Sequence, residues 1–267
     1  VGLFDVHAHL THPRVAEDLT GALQRAREAG VTTIVCNGLN PDDNAAVLKL
    51  AARESIVRPA LGFYPVDTVL PAMREAGVEY PREGRECSTE EGIAHVRDHV
   101  EQAFAVGEIG LDGYWVPEEF WPAQEQAFRA LVRLAMEADR PIIIHTRKRE
   151  QRTLEILDEL GATRVNWHCF GSRVKLARRI AERGHYLSIP CNARRSETFT
   201  RMLETVPRDR LLLETDCPYM GPERGVPSEP AHVAGTAAYA AELWKAPLDE
   251  VHHQLEENFE RLFGVAP

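Results

Sequence analysis

The chain has 267 residues, 44% of them hydrophobic and 27% charged, with a formal net charge of −10. Length and composition exclude a disordered or fibrous chain and suffice for a sizeable core, and α/β barrels commonly fill this length as single units. The acidic balance excludes a protein that coats nucleic acid through a broad basic surface, because phosphate affinity comes from Lys and Arg; it leaves room for a site that takes one strand end.

Runs rich in apolar and β-branched residues recur along the chain and predict eight strands. In order they are 2–7, 31–38 (VTTIVCNG), 56–65 (IVRPALGFYP), 105–112 (AVGEIGLD), 141–146 (PIIIHT), 164–170 (RVNWHCF), 185–191 (HYLSIPC) and 210–218 (RLLLETDCP). Helical spacing falls between them, as in Leu19, Ala22, Leu23 and Ala26 before Gly30, or Phe128, Leu131, Val132, Ala135 and Met136 before Pro141. A run over 230–262, broken at Pro247, predicts two closing helices. This alternation is the order of a (β/α)8 TIM barrel with extra C-terminal helices; a doubly wound open sheet is the other arrangement it fits. No linker divides the chain, so one domain over 1–267 is expected. The polar stretch 77–92 predicts an insertion after the third strand, either a lid or a solvated loop.

Cys36, Cys87, Cys169, Cys191 and Cys217 form no CxxC pair, and an odd number makes no disulfide framework, so no disulfide partner is expected. Asp5, Arg14, Glu17, Asp18 and Arg25 interrupt any apolar leader in the first thirty residues, and no uncharged apolar run reaches about 18 residues. The expectation is a cytoplasmic chain with no membrane partner.

A His-x-His pair such as His7 and His9 is unspecific by itself: with 11 histidines in the chain, about 0.5 such pairs arise by chance. The placement of the other ligand-type residues makes the pair informative. Glu108, His145, His168, Glu214 and Asp216 all fall in or near the C-terminal half of a predicted strand. In a parallel barrel those strand ends converge where the loops build the active site. Imidazoles and carboxylates gathered there are costly to bury unpaired, but they are the ligand types that divalent Zn, Mn or Co uses. Strand alternation points His7 with His9 and Glu214 with Asp216, and turns Cys169 and Cys217 the other way, as buried small hydrophobes. Gly107, Gly110 and Gly113 are spaced GxxGxxG, which is no dinucleotide cradle, and no Ser lies in a GxSxG elbow. His12, His95, His99, His185, His232, His252 and His253 read as surface or packing residues.

These residues resemble the TatD family of metal-dependent hydrolases and deoxyribonucleases, relatives of the amidohydrolases with a distorted TIM barrel. The segments DVHAH, GEIGLD, IIIHTR, HCF, LLLETDCPY and NFERLF match in order over nearly the whole chain. The resemblance implies two divalent ions (Zn, Mn or Mg): His7, His9 and Asp216 on one, His145 and His168 on the other, Glu108 bridging. A carboxylate bridge in place of the carbamylated lysine of many amidohydrolases favours phosphoester chemistry. Two ions about 3.5–4 Å apart activate water and stabilise the leaving oxygen of an in-line displacement. Asp216 is expected to orient the water and accept its proton, with Glu108 beside it. Arg147 is expected to fork the substrate phosphate; Arg194 and Arg224 are read as surface residues with a second option of the same role.

Three departures from the family pattern bear on substrate. Tyr64 in GFYP stands where the family has a histidine; it can donate a hydrogen bond to phosphate but exchanges protons poorly near neutral pH. The pocket loops differ as well, since HCFGS at 168–172 is one residue shorter than usual and Ser228 replaces an Asn before Glu-Pro, and the third departure is the polar insertion 77–92 after the strand bearing Tyr64. The expected activity is metal-dependent cleavage of DNA at single-stranded or unpaired ends. Hydrolysis of another ester, such as an aminoacyl-tRNA ester or a small phosphodiester, is the alternative; the intact ligand set argues against a non-catalytic metal-binding scaffold.

Overall fold

The computed structural model describes residues 2–81 and 86–265. The elements run β1 (Leu3–Ala8), α1 (Pro13–Ala16), α2 (Leu19–Glu28), β2 (Val31–Asn37), α3 (Pro41–Ala51), β3 (Val57–Leu61), α4 (Leu70–Glu75) and α5 (Thr89–His99). They continue β4 (Ala105–Asp112), α6 (Trp121–Glu137), β5 (Ile142–Arg147), α7 (Glu150–Leu160), β6 (Val165–Trp167), α8 (Val174–Glu182), β7 (Tyr186–Ile189), α9 (Glu197–Thr205), β8 (Leu211–Leu213), α10 (Val233–Trp244) and α11 (Leu248–Phe263). All eight predicted strands are present, hydrogen-bonded in the order β1 to β8, which is the (β/α)8 barrel arrangement. The two closing helices form on either side of Pro247 as expected.

Two units emerge from the packing. The first takes Val1–Cys36, Leu50–Arg58 and Thr163–Pro267. Within it β1 pairs in parallel with β2, and β7 with both β6 and β8. The backbone joins β1 to the segment after β8: Asp216 N–H donates to His7 O at 2.8 Å, and His9 N–H to Cys217 O at 3.0 Å. Behind β1, Phe4 packs on Phe259 of α11 with ring centroids 4.7 Å apart. The Asn258 side chain donates to the carbonyls of Arg208 and Leu211, both at 2.7 Å, which ties α11 to the start of β8.

The second unit takes Asn37–Lys49 and Pro59–Ala162. Its centre is the β4–β5 ladder, with Gly110 opposite His145 and Asp112 opposite Arg147. A Cβ at Gly110 would lie 1.8 Å from His145 O, so only glycine lets the strands approach this closely here. Helix α6 buries Phe128, Leu131, Val132 and Ala135 of the spacing that predicted it, together with Ala127, whereas Met136 faces solvent. Each of the larger side chains contributes about 2 kcal/mol by leaving water. Gln124 of the same helix accepts from Asp112 N–H at 3.2 Å and donates to Pro65 O at 3.1 Å.

Between β3 and β4, residues 77–81 and 86–88 are irregular, and α5 takes over from Thr89. The rest of the expected insertion, 82–85, lies outside the described residues. Among the described residues no helix is long and apolar enough to cross a membrane, and all five cysteines are free of disulfides.

Candidate metal-binding residues and their surroundings

In the first unit, His7 sits on β1 and His9 just beyond it, both buried. Their Nε2 atoms lie 3.2 Å apart, and Asp216 Oδ1 is 3.4 Å from His9 Nε2 and 3.7 Å from His7 Nε2. Ligand bonds of about 2.0–2.1 Å in a tetrahedral set place ligand atoms roughly 3.3 Å apart, so this triangle has the dimensions of one face of such a set. Its chemistry fits too: two imidazole nitrogens and a carboxylate oxygen converge, and a cation satisfies all three lone pairs at once. His168 stacks on His7, with centroids 3.8 Å apart and planes 11° from parallel.

Asp216 adopts φ 53, a left-handed conformation that Asp tolerates better than most residues. Burial works to raise its carboxyl pKa, but the hydrogen bond from His9 and the charges of His168 and His7 hold it below the usual range. Asp5, two positions before His7 on β1, belongs to neither candidate ligand group among the described residues. Its Oδ1 accepts from His7 N–H at 3.2 Å and from Thr215 N–H at 2.9 Å, and its Oδ2 from the Thr215 hydroxyl. The carboxylate thereby clamps the backbones on which His7 and Asp216 ride.

Strand alternation does not govern the far ligands. β6 ends at Trp167 and β8 at Leu213, so His168, Glu214 and Asp216 follow the strands. Positive φ at Cys169 and Asp216 redirects the chain there, and the pointing rule expected for Glu214, Asp216 and the two thiols stops short of them. Glu214 is no partner of Asp216: its carboxylate accepts from Cys169 N–H at 2.8 Å and from the Ser188 hydroxyl, and lies 3.7 Å from His168 Nδ1. It holds the loop that carries His168. Burial raises its pKa, opposed by His168 and Ser188. Cys217 is fully buried, Cys169 half-buried, and neither thiol belongs to a ligand group among the described residues.

In the second unit, His145 on β5 lies between two carboxylates. Its Nδ1 is 2.9 Å from Glu108 Oε1 and its Nε2 2.9 Å from Asp112 Oδ2. Burial disfavours the imidazolium, but hydrogen bonds to Asp112 and Glu108 more than offset this and raise its pKa. Asp112 is buried, which raises its own pKa, yet His145 and the N–H groups of Trp115 and Tyr114 bring it below the ordinary value. A carboxylate that fixes one ring nitrogen, as Asp112 does, is the support usual for a metal-binding imidazole, while the other nitrogen here meets Glu108. The Tyr64 ring meets the His145 ring edge to face, with centroids 5.0 Å apart, and packs on the apolar cluster of Val66, Val69, Met73 and Val116.

Arg147 is exposed, with its guanidinium 3.6 Å from the centroid of the Tyr114 ring. Arg194 pairs with Glu242 at 2.6 Å and lies over Tyr239, and Arg224 is exposed, in keeping with the surface reading of both. Ser228 is buried and donates to the carbonyls of Thr215 and Tyr219. His185 accepts from Trp167 Nε1 at 3.1 Å, a packing role, and His12 caps α1 by accepting from Arg14 N–H.

Asp112, Thr215 and Ser188 hold the candidate residues in place, and residue-type reasoning passed over them. For Asp112 a signal exists: it lies four positions after Glu108 on the same strand, hence on the same face. Thr215 and Ser188 are common residue types whose role appears only through their neighbours.

Parallel strands carrying buried imidazoles and carboxylates at their C-terminal ends are the construction of a metal-dependent hydrolase. The chain belongs to the TatD-related DNase family, whose model matches residues 4–264. It is 32% identical to the uncharacterized metal-dependent hydrolase YabD of Bacillus subtilis, covering 98% of this chain and 99% of that one. It is 30% identical to the 3'-5' ssDNA/RNA exonuclease TatD of Shigella flexneri, covering 99% and 100%. The crystal structure of YJJV, a TatD homolog from Escherichia coli K12, superposes with a TM-score of 0.85 at 27% identity, covering 98% of each chain.

Proposed function

We propose that this chain is a divalent-metal-dependent deoxyribonuclease that shortens single-stranded or unpaired DNA ends, acting as one catalytic domain in the cytoplasm. The observation that carries the reading is the convergence of His7 Nε2, His9 Nε2 and Asp216 Oδ1 within 4.8 Å of one another, in a chain of this family. In the proposal, His7, His9 and Asp216 hold one ion, His145 and His168 a second, and Glu108 both. The relative named as an exonuclease on single-stranded DNA and RNA supports the substrate class.

When bound, the ions supply Lewis acidity that makes water nucleophilic near neutral pH and offsets phosphoryl charge. The protein does the rest. Asp216 accepts one proton as the water oxygen bonds to phosphorus. The bond from phosphorus to the leaving sugar oxygen breaks, and that oxygen takes a proton from solvent. Asp112 fixes the ring of His145, so that its Nδ1 stays turned to Glu108. Arg147 forks a phosphate oxygen, and the Tyr64 hydroxyl donates a hydrogen bond to another.

The test is to count bound metal and then assay labelled single-stranded DNA, duplex DNA and aminoacyl-tRNA with Mg, Mn and Zn, beside Glu108→Ala and Asp216→Asn. We expect metal-dependent shortening of single strands that both substitutions reduce by at least about a hundredfold. Unchanged activity in the variants sinks the mechanism; turnover of aminoacyl-tRNA alone replaces the substrate.

A further inference from the structure

Asp112 does more than orient His145. Its Oδ1 accepts the N–H groups of both Tyr114 and Trp115 at 2.8 Å, so the loop after β4 leaves the His145 cluster along a fixed path. That loop presents two large aromatic side chains to solvent: Tyr114 is 52% exposed and Trp115 36%. Their rings meet edge to face with centroids 5.0 Å apart, and Trp115 meets Tyr80 in the same way at 5.5 Å. A recess of about 380 Å³ opens beside them, lined also by Trp121 and Lys148, within the size range of small-molecule sites.

The charges around this recess are unevenly compensated. Arg149 and Arg152 are paired with Glu125, and Arg129 with Glu159. Among the described residues no carboxylate lies within 4.0 Å of the Arg147 or Lys148 side-chain nitrogens. The Arg147 guanidinium is instead steadied over the Tyr114 ring, which leaves its N–H donors for another acceptor. Glu118 and Lys148 both line the recess and offset each other, and Arg147 adjoins it through the Tyr114 ring that it covers.

We propose that this loop and recess form a base-stacking subsite: a nucleobase of a single-stranded substrate lies against Tyr114 and Trp115, and Arg147 forks the adjoining phosphate. The proposal rests on the deoxyribonuclease reading and narrows it. Bases inside a duplex already cover one another's faces, so only a single strand or a frayed end fills such a subsite. Aromatic stacking tolerates any base, so the subsite selects for strandedness and not for sequence.

The test compares labelled, phosphorothioate-linked strands, which resist turnover: a short oligodeoxythymidylate and a matched strand of abasic residues with the same phosphates. Anisotropy titrations at one fixed salt use the full-length protein, Tyr114→Ala, Trp115→Ala and Tyr114→Phe. We expect the wild type to prefer the thymidine strand roughly 10 to 100-fold. Each alanine variant narrows that preference, while Tyr114→Phe keeps it because the ring remains. Equal affinity of the wild type for the two strands overturns the subsite whether or not any variant folds. An undiminished preference in alanine variants of unchanged melting temperature overturns it as well. Base preference in a protein that hydrolyses no DNA supports the subsite and removes the deoxyribonuclease reading; DNA hydrolysis without base preference does the reverse.

Discussion

The β1/β8 region and the β4/β5 region each gather imidazole and carboxylate, but they hold them differently. At β1/β8, three candidate ligand atoms face one another at 3.2–3.7 Å, and the support lies in the backbone clamp from Asp5 to His7 and Thr215. At β4/β5, His145 has an acidic group 2.9 Å from each ring nitrogen. The first arrangement is a set of converging lone pairs that a cation reconciles. The second is largely satisfied by the protein's own hydrogen bonds, which fix its geometry without a cation.

That contrast breaks or stands with His9→Ala. Removing one corner of the β1/β8 triangle should lower the metal content by the ion held there and reduce DNA turnover roughly a thousandfold, read by elemental analysis and end-labelled strand assays. If the metal content matches the wild type, the triangle is not a metal site.

A smaller effect is expected of Asp112→Asn. The amide still reaches His145 but no longer supports its charge, so metal affinity or activity should fall about 10 to 100-fold. Metal titration checks this, with Tyr114 and Trp115 exposure followed by fluorescence, since the same side chain holds their loop. Unaltered affinity would mean that His145 needs no acidic support.

The smallest effect is structural and sharpens the view of β4/β5 as self-supported. Glu125 accepts from Arg149 and Arg152, and Arg149 is buried against Trp121. Burial works to raise the Glu125 pKa, but Arg152 and Arg149 bring it below the ordinary value. A depressed carboxylate contributes stability that is present above the unfolded pKa and lost as pH falls through the folded one. Glu125→Gln should therefore cost about 2 kcal/mol at neutral pH, with metal content unchanged, and the difference should close under acid below about pH 4. Melting temperatures across pH measure it, and a gap that is constant with pH would remove the ion pair as the cause.

Much of this was legible in the residue order. Periodicity marks all eight strands, and the six motifs from DVHAH to NFERLF carry the family likeness. What eluded pattern reading were the places where a strand stops early. HCF and LETDCP look like strand ends, but β6 stops at Trp167 and β8 at Leu213, and positive φ at Cys169 and Asp216 turns the chain instead of continuing the alternation. Glu214 illustrates the consequence, since its residue type suggests a ligand whereas its bonds to Ser188 and Cys169 make it a brace.

The sequence by itself determined the strand and helix alternation and the ligand types at the strand ends, because side-chain period and backbone propensity are local properties. Tertiary structure alone decided which carboxylates brace and which face the imidazoles. Asp5 and Thr215 are 210 positions apart, and Glu214 and Ser188 26. A hydrogen bond needs its partners within about 3 Å, a distance set by the fold rather than by separation along the chain.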